Sequence, residues 1–206
     1  MACPSGGADP VVALFERRTA PIADLADHAG DVAKACHAMA VRFHRGGKLV
    51  VFGNGGQSTD AQHVAVEFVH PVIVGKRALP AISLTSDVAT LTGVAATEGL
   101  AEIFAHQIRF LAEPTDIALA LSLDGNCLSV LNGLDRARSM GMLTVALVGG
   151  DGGEIVVRGA ADHVLLARSH DPRIVKEVHV TTYHVLWELV HVFFEQPGVL
   201  EPAVVS

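Results

Sequence analysis

Short apolar runs alternate along the chain with longer stretches in which apolar residues recur at intervals of three and four. Five runs of strand-forming character predict strands at residues 48–52, 80–85, 116–122, 142–148 and 161–167. Helical spacing fills much of the sequence between them. Strands that alternate with helices are typical of a parallel sheet covered on both faces, so we predict an α/β fold of three layers.

Helical spacing also precedes the first strand, over residues 10–45. Two helices are predicted there, with a break or kink near Pro21 or near Gly30, and a glycine pair at Gly46 and Gly47 ends the second. These extra N-terminal helices exceed what one face of a sheet requires. We therefore expect a helical arm that packs on another subunit.

The remaining helices follow the strands. They are predicted after the first strand as far as Phe68, from Val88, over 100–111, up to Met140, and over 172–195. Residues 10–196 are expected to form one domain with its N-terminal helical arm. Residues 1–9 and 197–206 are expected to form tails, the first of them flexible.

Composition excludes several classes of protein. Half of the 206 residues are hydrophobic and 18% are charged, so a large core is available. The formal net charge of −7 and the pI of about 5.8 argue against a nucleic-acid surface. No apolar run is long enough to span a membrane. No signal-peptide pattern is seen in the first ten residues.

The cysteines indicate a reducing compartment. Cys3, Cys36 and Cys127 are odd in number and widely spaced, which fits neither a disulfide framework nor a zinc ribbon. We therefore expect a cytoplasmic protein.

The first strand leads into a glycine turn and then a helix. Gly53, Gly55 and Gly56 permit a tight turn, and residues 58–60 (Ser-Thr-Asp) are of types favoured at a helix N-cap. Backbone N–H groups at such a turn face a crevice that suits an anion or a sugar. A second turn, at residues 123–126, follows the third strand and is expected at the same edge of the sheet.

His63 and Glu67 are four residues apart on the helix after the first turn, so they share one face of it. Such a pair is usually no more than two solvated side chains. The preceding glycine turn changes this interpretation, because it places the pair below a predicted crevice. An imidazole and a carboxylate together suit acid–base chemistry.

Several motifs carry a resemblance to a known family. They are GNGGQSTDAQHVAVEF, a PAI strand followed by Ser-Asp, a strand ending in Ser before Gly-Asn, LVGGDGGEI, and KEVHVTTYH. Over about residues 35–195 the chain resembles the sugar isomerase (SIS) family, and within it the phosphoheptose (sedoheptulose-7-phosphate) isomerases. The resemblance implies a five-stranded parallel sheet, a homotetramer with sites between subunits, and frequently a zinc ion.

The resemblance also implies residue roles in aldose–ketose isomerisation of a sugar or sugar phosphate. Glu67 corresponds to the catalytic base and His184 to the second acid–base group, and both would hold zinc together with His63. The residues that correspond to substrate-binding positions are Asn54, Gly55, Gly56, Gln57, Ser58, Ser122, Asp124 and Asn126.

The chain departs from the family pattern at both loops and at the metal site. Gln57 replaces a serine, and Leu123, Asp124 and Cys127 replace three hydroxyl residues. A carboxylate at Asp124 would repel a phosphate, unless it caps its own helix and faces away. Lys176 replaces a glutamine ligand, and its ammonium could substitute for the metal's charge by pairing with Glu67.

Three functions stay open on the sequence alone. The first is an aldose–ketose isomerase of the phosphoheptose type, which Glu67 and His184 favour. The second is a catalytically altered SIS module that binds a sugar derivative, which the altered loops favour. The third is a scaffold that associates with a replication initiator, similar to relatives that lack the glutamate and the last-helix histidine.

Overall fold

The structure is a computed structural model that describes residues 9–71, 73–196 and 198–200. Apart from Asp9 and residues 198–200, the predicted tails lie outside the described residues. The strands are β1 (Leu49–Gly53), β2 (Ala81–Ser83), β3 (Ile117–Ser122), β4 (Leu143–Gly149) and β5 (His163–Ala167). The helices are α1 (Pro10–Asp27), α2 (Ala29–His44), α3 (Gly56–Val69), α4 (Val88–Thr97), α5 (Ile103–Leu111), α6 (Leu128–Ser139), α7 (Gly153–Val157) and α8 (Pro172–Glu195).

All five strands form one parallel sheet in the order β2-β1-β3-β4-β5, which confirms the predicted fold class. The chain runs from β1 to β2 on one side and then crosses to β3 on the other side of β1. The turns after β1 and β3 therefore diverge at the carboxyl edge of the sheet. A crevice opens at such a switch point in parallel α/β sheets.

The sheet separates two apolar cores. Leu49 and Val51 face a core shared with α2, α3 and α8, whereas Val50 and Phe52 face a core shared with α5 and α6. Every residue of β1, β3 and β4 is buried, because helices cover both faces. This burial explains why their sequences are continuous apolar runs.

The N-terminal helices break near Gly30, the second of the two predicted positions. The α1 helix continues through Pro21 to Asp27, and His28 separates it from α2 with φ −100° and ψ 21°. The alternative break at Pro21 is wrong. Its ring is buried, as is Leu25 one turn later, and this packing offsets the one intrahelical hydrogen bond that proline cannot make.

Two other helices begin differently from the sequence prediction. The α3 helix begins at Gly56, and its N-cap is Gly55 with φ +59°, before the residues expected to cap it. Ser58 Oγ instead donates to the carbonyl of Gly55. The segment predicted as one helix over 100–111 is a short 3-10 turn at Leu100–Glu102 followed by α5.

The short α7 helix lies between the fourth and fifth strands, where the sequence analysis predicted no helix. It forms because the N–H of Glu154 donates to Asn126 Oδ1 and because Ile155 is fully buried. Both causes lie in tertiary contacts. Within the described ranges, no helix is both long and apolar enough to cross a membrane.

Candidate active site

Three glycine-containing loops pack closely at the carboxyl edge of the sheet. A Cβ on Gly53 would lie 2.7 Å from the carbonyl oxygen of Leu121. Gly125 has φ +77°, and a Cβ there would lie 1.9 Å from the carbonyl oxygen of Gly152. Only glycine allows backbones to approach this closely, so the turns after β1, β3 and β4 form one continuous wall.

A cavity of about 190 Å³ lies between the turns that follow β1 and β3. Its lining residues are Asn54, Gln57, Leu121, Ser122, Leu123, Asp124, Cys127 and Val130. The structure thus brings together four of the eight residues proposed for substrate binding, namely Asn54, Gln57, Ser122 and Asp124.

The other four proposed substrate residues lie beside this cavity without lining it. Gly55 and Gly56 form the turn at the start of α3, and Ser58 is bonded to that turn. The Asn126 side chain faces the neighbouring loop, where its Oδ1 accepts from Glu154. Its contribution is therefore to hold two loops together.

Asp124 combines both orientations considered from the sequence. Its Oδ1 accepts a hydrogen bond from the N–H of Asn126 at 3.0 Å, as expected for a residue that caps its own turn. The residue is nevertheless exposed and lines the cavity. A carboxylate charge thus lies at the crevice between β1 and β3.

Asn54 joins the first turn to the start of α6. Its Nδ2 lies 2.9 Å from Cys127 Sγ and 2.5 Å from Ser129 Oγ. Partial burial acts to raise the pKa of the Cys127 thiol. Hydrogen bonds from Ser129, from Asn54 and from the backbone N–H groups of Val130 and Ser129 outweigh it and lower that pKa below its ordinary value.

Further along α3, a carboxylate lies between two imidazoles. Glu67 Oε1 is 2.9 Å from His184 Nε2 and 3.1 Å from His63 Nε2. The glutamate side chain is only 15% exposed, whereas those of His63 and His184 are 47% and 44% exposed. The cluster therefore has a shielded carboxylate and two solvent-accessible imidazoles.

The packing of α8 against α3 brings these groups together. His63 and Glu67 share one face of α3, and His184 approaches them from α8. Trp187 Nε1 donates to the backbone carbonyl of Glu67 at 3.1 Å and fixes the two helices at this level. The sequence analysis proposed these three polar groups and assigned the tryptophan no part in the site.

The three groups fit a zinc ion. One ligand atom from each of His63, Glu67 and His184 lies within 4.8 Å of the other two. Two imidazole nitrogens and one carboxylate oxygen are a donor set that zinc accepts, and catalytic zinc sites use three protein ligands. These residues can therefore hold the metal that the resemblance implies.

Lys176 does not join this cluster. Its Nζ lies 2.5 Å from Asp60 Oδ1 and 3.1 Å from the carbonyl oxygen of Gly56, near the start of α3. The expected pairing of Lys176 with Glu67 is therefore wrong. Asp60 is only 4% exposed, and a buried carboxylate requires a nearby countercharge.

Sequence reasoning missed Tyr183, although it directly precedes His184. Its hydroxyl oxygen lies 2.9 Å from His63 Nδ1, and the side chain is almost fully buried. One signal could have identified it: Lys176, Tyr183 and Trp187 are spaced by seven and four residues, so they share the face of α8 that meets α3.

Comparisons with known proteins give one consistent result. A family model described as "SIS domain" matches residues 15–149. The phosphoheptose isomerase of Solidesulfovibrio magneticus is 40% identical over 177 residues, which cover 85% of each chain. That of Pelobacter propionicus is 39% identical over 181 residues, covering 86% of this chain and 90% of the relative.

Solved structures agree with the sequence relatives. The phosphoheptose isomerase of Francisella tularensis superimposes with a TM-score of 0.83 at 29% identity, covering 91% of this chain and 100% of that one. The Neisseria gonorrhoeae phosphoheptose isomerase gives a TM-score of 0.80 at 26% identity, covering 87% and 96%.

Proposed function

The chain belongs to the SIS domain family, and we propose that it is an aldose–ketose isomerase of the phosphoheptose isomerase type, acting on a sugar phosphate. The observation that carries this proposal is the shielded carboxylate of Glu67, in contact with both His63 and His184. A carboxylate and an imidazole in contact are the groups that proton transfer between adjacent carbons requires.

In the proposed reaction, Glu67 removes the proton from the carbon beside the carbonyl and returns it to the neighbouring carbon. His184 donates a proton to the carbonyl oxygen and accepts one from the adjacent hydroxyl, so an enediol forms and collapses with protons balanced. The low exposure of Glu67 suits a base that must return the proton it has taken. The greater exposure of His184 lets it reach the sugar oxygens.

We propose that His63, Glu67 and His184 hold a zinc ion, on the strength of their donor types and mutual distances. Zinc would supply Lewis-acid polarisation of the sugar carbonyl. His63 would act only as a ligand, whereas Glu67 and His184 would each offer zinc one atom and keep the second carboxylate oxygen or ring nitrogen for proton transfer.

The phosphate end of the substrate is proposed to bind at the cavity beside Asn54, Gln57 and Ser122. Backbone N–H groups at the starts of α3 and α6 supply positive partial charge there. Asp124 opposes a dianion, although the N–H of Asn126 offsets part of its charge. This opposition also favours the second candidate, a module that binds a less anionic sugar derivative.

We propose a homotetramer in the cytoplasm, with active sites that lie between subunits. The α1 helix exposes Val11, Leu14 and Phe15, with Phe15 exposed by 70%, as expected for a surface that another chain covers. Glu67 follows Gln57 by ten positions on α3, so the acid–base cluster is roughly 15 Å along the helix from the cavity. In the proposed tetramer, the acid–base cluster of one protomer would lie closer to the cavity of its neighbour than to its own cavity. One substrate molecule would then reach both.

An isomerase assay with a panel of heptose and hexose phosphates tests the proposal. Wild type is expected to interconvert at least one aldose–ketose pair, and Glu67→Gln is expected to lose about 10²–10⁴-fold in kcat. If wild type turns over no sugar phosphate but binds an unphosphorylated sugar, the second candidate replaces the first.

Light scattering of Phe15→Glu tests the assembly separately, since a charge there should dissociate the tetramer.

A further inference from the structure

Tyr183 contacts His63 from α8. Its hydroxyl oxygen lies 2.9 Å from His63 Nδ1, and the two rings meet edge-on with centroids 5.5 Å apart. The tyrosine is only 1% exposed. The other nitrogen of the same imidazole, Nε2, lies 3.1 Å from Glu67 Oε1. His63 is therefore held at both ring nitrogens.

The contact at Nδ1 decides what Nε2 can do. A neutral imidazole carries one proton. If the phenol donates to Nδ1, the proton of His63 is on Nε2, which then donates to Glu67. If Nδ1 instead donates to the phenol oxygen, Nε2 presents a lone pair. A metal-ligating imidazole requires this second arrangement.

In the second arrangement the phenol's own proton needs an acceptor, and the candidate is Asp60, to which Tyr183 makes no hydrogen bond in the described part of the chain. Asp60 lies three residues before His63, on the same face of α3. Its Oδ1 is held by Lys176 Nζ at 2.5 Å. Its Oδ2 is buried and has no hydrogen-bond partner in the described part of the chain. A buried carboxylate oxygen without a donor is uncommon, which suggests that a donor can reach it.

We propose that Tyr183 is a positioning residue that sets the tautomer of His63, and that Asp60, held by Lys176, accepts the phenol proton when His63 Nε2 binds zinc. This inference rests on the proposed function for the role of the cluster. It adds to the site a hydroxyl that touches neither the sugar nor the metal.

The variant Tyr183→Phe tests the inference, because it keeps the buried ring and removes only the hydroxyl. The probe is zinc alone, measured on metal-free protein by competition with a chromogenic chelator. We expect the affinity for zinc to fall by about 10–100-fold, with little change in melting temperature. Thr181→Val is the matched control, since it removes a hydroxyl from α8 that bonds only the carbonyl of Glu177 among the described residues.

Unchanged zinc affinity in Tyr183→Phe, or wild-type protein that binds no zinc, would overturn the inference. The Asp60 link has its own test in the double variant Asp60→Asn with Tyr183→Phe. If both residues act through one hydrogen bond, their losses of binding free energy should sum to more than the loss in the double variant. Additive losses would reject the link.

A spectroscopic measurement decides the matter even if Tyr183→Phe does not fold. The chain contains a single tyrosine, so the tyrosine Fermi doublet in the Raman spectrum reports on Tyr183 alone. Zinc should shift the intensity ratio of that doublet towards the value of a phenol whose oxygen accepts a hydrogen bond. An intensity ratio that does not change when zinc binds would contradict the inference. None of these measurements uses sugar, so they stand whether or not the isomerase proposal fails.

Discussion

Acid should destabilise this fold through His179, which lies on α8 five residues before His184. The residue is 1% exposed, and both ring nitrogens are buried with no hydrogen-bond partner among residues 9–71, 73–196 and 198–200. Burial lowers the pKa of His179 to about 4; the nearby backbone of Val148 opposes this shift, and the Lys176 ammonium adds a smaller lowering contribution. Its ordinary value is 6.5.

The sign of the effect follows from proton binding. Between pH 4 and 6.5 the unfolded chain binds a proton at His179 that the native state does not. The contribution to stability is therefore fully present above pH 6.5 and is lost as the pH falls. The difference between the two pKa values corresponds to about 3 kcal/mol, of which about 2 kcal/mol is lost by pH 5. That loss lowers the melting temperature by roughly 4–8 °C for a chain of this size.

Urea unfolding at a series of pH values measures this effect. The free energy of unfolding of wild type should fall steeply between pH 6.5 and 5. In His179→Leu that fall should be smaller by about 2 kcal/mol. His44→Gln, on the exposed surface of α2, is the control and should keep the wild-type slope. If His179→Leu keeps that slope as well, the buried neutral imidazole is not the cause and the reasoning is refuted.

Three further variants test the charges and the packing around the site. Lys176→Met should reduce the free energy of unfolding by about 3–5 kcal/mol, because it leaves Asp60 buried without a countercharge. Adding Asp60→Leu should restore most of that stability, and equal losses in the single and double variants would reject this explanation. Asp124→Ser should lower the KM for a sugar phosphate by about 5–30-fold, from about 1–2 kcal/mol of relieved repulsion, and an unchanged KM would contradict it. Gly125→Ala should destabilise the fold by roughly 2–5 kcal/mol in calorimetry, because position 125 has a positive φ and its Cβ would clash with the backbone. Gly141→Ala is the control: it is strained only by its positive φ and should lose about 1 kcal/mol. Similar losses in the two variants would exclude the clash.

Much of the fold could be predicted because local signals and burial agree. The α8 helix has the predicted bounds: Pro172 occupies its first turn, and Asp171 caps it by accepting from the N–H of Arg173. The central strands are buried on both faces, so each is an unbroken apolar run in the sequence. The α7 helix could not be predicted, because its formation depends on Asn126 in another loop.

Some residues of the candidate site could likewise be predicted from the sequence, whereas some of their contacts could not. The spacing of His63 and Glu67 on one helix can be read from the sequence, and the family resemblance adds His184. The spacing of Lys176 and Tyr183 places them on one face of α8, but their partners on α3 cannot be read, because these depend on which turn of α8 meets which turn of α3. That alignment is a tertiary property of two packed helices.

The central claim is that Glu67 transfers a carbon-bound proton of a sugar phosphate. The most direct measurement follows sedoheptulose 7-phosphate in deuterium oxide by nuclear magnetic resonance. Wild type should isomerise the sugar, and deuterium should enter the receiving carbon only in the fraction of turnovers in which Glu67 exchanges the abstracted proton with solvent before returning it. Glu67→Gln should slow both isomerisation and this exchange by about 10²–10⁴-fold. A folded Glu67→Gln variant that isomerises the sugar and exchanges its proton at the wild-type rate would contradict the account.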